Sequence, residues 1–297
     1  MWLPWRAYLK AKPAGAMTEF FIQGQRGRLS ALRLGNPAGR KVLALHGWLD
    51  NAASFIPMAP YLADHDIVAI DMLGHGSSEH IPKGYDYAFV DWLHDILDVL
   101  DGLGWQQAHL LGHSLGGALA TVLAAGAPER VLSLALIEAL GPPPWPGDHA
   151  TERLRKAIAG RRRPISAPRL IPDIETAVRA RLQATDKLES SARLLVERNL
   201  RQVEGGYQWR SDARLMWPSH MRAEETSVRN WLAAIECPVV LVAADPAPVY
   251  FMPELRNERF ACLKHGSLHV IAGTHHVHMD KPAEVAGLIN TFWGALP

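Results

Sequence analysis

Leu110-Leu-Gly-His-Ser-Leu-Gly-Gly117 decides how this chain is read. It contains Gly-x-Ser-x-Gly, with Gly112, Ser114 and Gly116. An apolar run, Ala108-His-Leu-Leu111, leads into it, and Ser114 to Gly126 has helical spacing. A serine at a sharp strand-to-helix turn sits in strained backbone, and the residues two places either side must be small. The turn lifts the hydroxyl above the sheet, at a helix N-terminus whose dipole favours negative charge. A glycine-rich turn with a capping serine is the plainer alternative. A phosphate loop is a weaker rival, because no Gly-Lys-Ser/Thr follows.

On either side, short apolar runs alternate with helical patterns. Phe20 to Gln23 and Leu29 to Leu34 read as an opening pair of strands. Lys41 to Leu45, Asp66 to Ile70 and Leu132 to Ile137 are further nearly unbroken runs. Strands of that kind belong in a sheet covered on both faces. Tyr85 to Leu103 and Ser114 to Gly126 supply the helices between them, so the first half reads as βαβ units with a mostly parallel sheet.

The pattern changes after Glu138. Gly141-Pro-Pro-Pro-Trp-Pro-Gly147 continues neither strand nor helix. From there to about Trp231 the chain is helix-like, without strand-like runs, and carries Arg161-Arg-Arg163, Trp145, Tyr207, Trp209, Met216 and Trp217. Pro238 to Val242 and Ser267 to Ile271 are strand-like again, and Ala283 to Phe292 is a closing amphipathic helix. The expected organisation is an N-terminal extension at 1–16, an α/β body at 17–141 and 236–297, and a helical insertion at 142–235. The insertion should lie as a lid over the C-terminal ends of the strands. Most of its aromatic and methionine residues are expected to form its own core, and the Arg161 to Arg163 cluster to be a solvated stretch.

Composition narrows the function classes. With 297 residues, 48% of them hydrophobic, the chain can bury a large core. A formal net charge of +1 argues against a general nucleic-acid binder. Cys237 and Cys262 make no disulfide framework, which fits a cytoplasmic location. The apolar run Val131 to Leu140 is too short to cross a bilayer, so no stable membrane insertion is expected.

Four segments give the chain a resemblance to the α/β-hydrolase superfamily. They are His46-Gly-Trp-Leu-Asp50, Asp71-Met-Leu-Gly-His-Gly-Ser77, the serine elbow, and Gly273-Thr-His-His-Val-His-Met-Asp-Lys-Pro282. The first and last are most similar to the serine hydrolase-like family, and the layout also resembles haloalkane dehalogenases and epoxide hydrolases. Those two use an aspartate nucleophile. Ser114 forms an acyl-enzyme but not their alkyl-enzyme ester, which demotes both activities.

The resemblance implies an α/β-hydrolase fold and a catalytic histidine seven positions before a proline. His275 has that register with Pro282, and His276 is the alternative. For the acid, the family pattern offers Glu138, after the strand that follows the elbow, or Asp245, in a loop whose register is short. Glu138 is preferred. Backbone amides of Trp48 and Leu115 are expected to form the oxyanion hole. Trp48 and His113 are read as lining the substrate pocket. His46 is read as holding its loop, and Asp71, His75 and Ser77 as shaping the neighbouring turn. A metal reading of His275, His276 and His278 is disfavoured, because the spacing is not His-x-x-x-His and no other ligand set is evident. No cofactor is expected.

The expected activity is hydrolysis of a carboxylic ester of a small or medium, largely apolar acyl compound. Thioesterase, lactonase and carbon–carbon bond hydrolase activities use the same residues. Cofactor-free oxygen or peroxide chemistry and a slow-turnover ligand receptor are the rivals from other classes. Oligomeric state is left open.

Overall fold

The computed structural model describes residues 17–144, 149–162, 167–184 and 188–297. The expected extension at 1–16, Trp145 and Arg163 lie outside them.

Ten strands are described. They are β1 (Thr18–Gln23), β2 (Arg28–Gly35), β3 (Arg40–Leu45), β4 (His65–Ile70), β5 (Ala108–His113), β6 (Val131–Ile137), β7 (Leu200–Val203), β8 (Gly206–Trp209), β9 (Val239–Asp245) and β10 (Gly266–Ala272). Eight form one sheet in the order β1-β2-β4-β3-β5-β6-β9-β10. β2 is antiparallel to both its neighbours, and every other pairing is parallel.

The unbroken apolar runs follow from this topology, because each central strand buries both faces. Leu43 and Leu45 of β3 face one core with α1 (Asp91–Gly102) and α2 (Leu115–Gly126). Val42 and Ala44 face the other with the C-terminal helix (Pro282–Gly294), where Trp293 is fully buried and its indole N–H donates to Ser133 Oγ at 3.2 Å.

Helix α1 is shorter than the expected Tyr85 to Leu103. The missing turn is held open by tertiary bonds. Tyr87 Oη accepts from Ile81 N–H and donates to Asp212, and Arg214 donates to Tyr85 O. These bonds outweigh local helix propensity there.

Between β6 and β9 lie α3 (Ala150–Arg161), α4 (Ile174–Ala184), α5 (Glu189–Asn199) and α6 (Glu225–Ala234). The segment also contains the antiparallel β7–β8 hairpin, which the sequence reading missed. Strands of four residues, with Gly205 and Gly206 at the turn, are too short to show an alternation. Tyr207 and Trp209 pack in a core of the insertion's own, with Ile171, Val178, Val196 and Leu200.

The segment between β6 and β9 contacts the loops that follow β3 and β4. Asn51 donates to Leu195 O at 2.9 Å, Arg181 pairs with Asp50, and Arg214 donates to Ile81 O. Arg161 is no purely solvated charge, because it reaches Gly84 O and Asp86 of the body. Deepest of these ties is Arg198, fully buried, which grips Asp71 through Nε and Nη2. Burial alone would raise the Asp71 pKa, but Arg198 outweighs it and holds the carboxylate below its ordinary value.

Candidate active site

Ser114 stands between β5 and α2 with φ 51° and ψ −114°, a conformation that L residues rarely adopt. Its N–H extends the sheet ladder to Ile137 O at 3.0 Å, and its C=O accepts from Ala118 N–H at 3.0 Å. The flanking glycines are required by contact. A Cβ on Gly116 would lie 2.0 Å from Leu45 O, and one on Gly112 would lie 2.6 Å from Gly117 Cα. In the first turn of α2, Gly116 N–H donates to His46 O at 3.1 Å and ties the elbow to the loop after β3.

Glu138 directly follows β6 with φ 56°, in the left-handed region that L residues rarely adopt. The carboxylate is buried and both oxygens are engaged. Oε1 accepts from Ala244 N–H at 2.6 Å, and Oε2 lies 3.0 Å from His275 Nδ1. A carboxylate only accepts, so Nδ1 carries the hydrogen and Nε2 presents the lone pair. His275 is thus brought to Glu138 across 137 residues. Asp245 ends β9 with an exposed side chain, and among the described residues its carboxylate makes no hydrogen bond or ion pair. Its backbone carbonyl accepts from Gly273 N–H instead. His276 turns away from Ser114, its Nε2–H donating to Asp50 Oδ2 at 3.0 Å.

Tyr250 had no signal in the sequence. Its Oη lies 2.8 Å from His275 Nδ1 and 3.0 Å from Nε2, with the two rings nearly perpendicular. One O–H donates once, and with Nδ1 directed at Glu138 it serves Nε2. Burial, then the Glu138 charge, raises the Tyr250 pKa, so the phenol stays protonated. The hydroxyl of Ser114 makes no hydrogen bond among the described residues, to His275 or to any other. The loop carrying Tyr250 reaches the site only through the tertiary fold.

The amides of Trp48 and Leu115 likewise donate no hydrogen bond among the described residues. Trp48 is 47% exposed. His113 differs from its expected place as a pocket wall. It is fully buried behind the elbow, where Nε2–H donates to His275 O at 2.8 Å and the ring packs on His278. His46 holds its loop: Nδ1–H donates to Gly47 O, and Nε2 accepts from Met72 N–H. Asp71 receives Ala52 N–H and Ser77 N–H.

His46, His75 and His113 are buried and held neutral, and burial is the largest cause for each. For His75 the pKa falls to about 3, with His46 pushing the same way. The unfolded chain therefore binds protons that the native chain refuses. Their contribution to stability is complete above the ordinary pKa and is lost as pH falls below it, at about 1.4 kcal/mol per pH unit for each group until its folded value is reached. Thermal melting at about pH 7.5 and about pH 5 should show a clear loss in acid. A midpoint that does not move would mean that these histidines titrate normally.

A family model of the alpha/beta hydrolase fold matches residues 41–282, which span all the segments just described. The chain belongs to the α/β-hydrolase fold family. A probable serine hydrolase of Drosophila melanogaster is similar to this α/β hydrolase, 31% identical over 293 residues that cover 92% of this chain and 87% of that protein. Among solved structures, a hypothetical protein from Pseudomonas aeruginosa PAO1 superposes with a TM-score of 0.86 at 38% identity, covering 93% of this chain and 99% of that one. A thioesterase domain from the curacin biosynthetic pathway superposes with a TM-score of 0.82 at 27% identity, covering 93% and 99%. No helix among the described residues of this α/β hydrolase is long and apolar enough to cross a membrane.

Proposed function

We propose that this α/β hydrolase cleaves a carboxylic ester of a largely apolar acyl compound through an acyl-enzyme on Ser114. The observation that carries the reading is the 3.0 Å contact of His275 Nδ1 with Glu138 Oε2. It orients the imidazole so that Nε2 is the base, and a carboxylate there stabilises the imidazolium that forms.

Ser114 Oγ attacks the acyl carbonyl while His275 Nε2 takes its proton. Tyr250 gives up the Nε2 lone pair for that step. The Trp48 and Leu115 amides receive the developing oxyanion. His275 then protonates the leaving alkoxide, and the acyl-enzyme remains. Water attacks it with His275 again as base, releasing the acid and restoring Ser114. Glu138 stays ionised throughout.

A thioester is the second reading, favoured by the likeness to a thioesterase domain. The attack is the same, and a thiolate leaves with less need of a proton.

The test is reaction with a fluorophosphonate, followed by mass spectrometric location of the adduct. Ser114 is expected to be the labelled residue, and paired ester and thioester panels then rank the two leaving groups. A folded protein that takes no label at Ser114 would overturn the acyl-enzyme reading.

A further inference from the structure

Four imidazoles meet beside the catalytic loop. His113 packs on His278 with ring centroids 4.1 Å apart, on His275 at 4.8 Å and on His276 at 5.0 Å. The loop after β3 adds Asp50, also buried. Asp50, His113 and His276 each offer one ligand atom, and these atoms all lie within 4.8 Å of one another.

The protons in this group can be assigned. His113 Nε2 faces the carbonyl of His275, which only accepts, so Nε2 carries the hydrogen. Burial, and then its imidazole neighbours, keep the ring neutral. Its Nδ1 is therefore a bare lone pair, with no hydrogen-bond partner among the described residues. That lone pair lies 3.8 Å from Asp50 Oδ2. Two electron-rich atoms thus face each other in the buried interior, an arrangement that favours a positive charge between them. His276 Nε2 is 3.0 Å from the same oxygen. Moving its proton to Nδ1 makes Nε2 a third donor, with no net proton released.

We propose that Asp50 Oδ2, His113 Nδ1 and His276 Nε2 form an inhibitory site for a borderline divalent cation of the Zn²⁺ kind. Metal–ligand bonds of about 2.1 Å in a tetrahedron set ligands about 3.4 Å apart, and the two measured separations straddle that value. Two imidazoles and a carboxylate suit Zn²⁺ and not Mg²⁺ or Ca²⁺. Arg181 bonds the other Asp50 oxygen and fixes the carboxylate. Its charge weakens the affinity, which suits a site that fills and empties. Arg181 is partly exposed, and the cation enters where that ion pair between lid and body opens.

Inhibition follows from the connections. His113 holds the backbone carbonyl of His275, and His276 is its chain neighbour. Drawing both rings onto a metal displaces His275 from Glu138 and Ser114. This last step rests on the proposed role of His275, but the binding itself does not.

The experiment uses the full chain, stripped with EDTA and titrated with ZnCl₂. Bound metal is read by native mass spectrometry and by competition with a chromogenic chelator. Fluorophosphonate labelling of Ser114 is followed in parallel. One zinc per chain is expected, with labelling slowed at least about tenfold at saturation and restored by EDTA. His113→Gln, which keeps a donor for the His275 carbonyl, and His276→Gln should each bind zinc at least about tenfold more weakly while melting as folded proteins. MgCl₂ should neither bind there nor slow labelling. No bound zinc, or zinc bound equally by both variants, would overturn the site. Zinc bound with labelling unchanged would overturn its inhibitory role. A protein that never labels at Ser114, with or without zinc, refutes the acyl-enzyme reading instead, and the metal titration still decides the site.

Discussion

Replacing Ser114 by alanine is expected to lower ester turnover by about 10⁴-fold or more and leave the protein folded. The magnitude follows from what the hydroxyl does. Without it there is no acyl-enzyme, and only binding and the two oxyanion amides remain to assist water. The fold should persist because the side chain makes no hydrogen bond among the described residues. The bonds that shape the elbow belong to the backbone, Ser114 N–H to Ile137 O and Ala118 N–H to Ser114 O. Steady-state turnover and a melting curve on the same preparation check both halves. Turnover within a few-fold of the parent would refute the mechanism, and a collapsed melting curve would leave Ser114→Cys as the variant to measure.

The second large effect separates two carboxylates. Glu138→Gln should lower kcat by about 10³- to 10⁴-fold, as expected when an imidazole loses the acceptor that fixes its tautomer. The amide offers N–H groups where Nδ1–H needs an acceptor, and no negative charge remains to meet the imidazolium. KM should change far less than kcat, because the lost interaction strengthens in the transition state. Asp245→Asn should stay within a few-fold of the parent, since that side chain is exposed and makes no hydrogen bond or ion pair among the described residues. Comparable losses at both positions would show that Asp245 moves into the site during turnover. Two small losses would mean that Ser114 and His275 work without an acid.

The order of strands and helices was legible because burial leaves a local trace. Val42 to Leu45 alternate between two cores, so an unbroken apolar run already signals a covered sheet. The shortened α1 and the β7–β8 hairpin were not legible. Both are decided by bonds from distant residues, Asp212 and Arg214 for the first and the insertion's own packing for the second.

The elbow lies on the determined side. Gly112 and Gly116 are demanded by contacts within a few residues or with the adjacent strand, and steric exclusion at short range is written in residue type. The sequence alone therefore determined the serine turn and the parallel sheet around it. The tertiary structure decided everything that depends on which distant loops meet. It set Glu138, not Asp245, against His275, brought Tyr250 onto the imidazole, and turned His113 inward. It also gathered Asp50, His113 and His276, a juxtaposition that spacing along the chain did not suggest. Hydrogen bonds between side chains 25 to 226 residues apart leave no periodicity in the sequence. Only the packing of the segment between β6 and β9, the elbow and the C-terminal loop closes them.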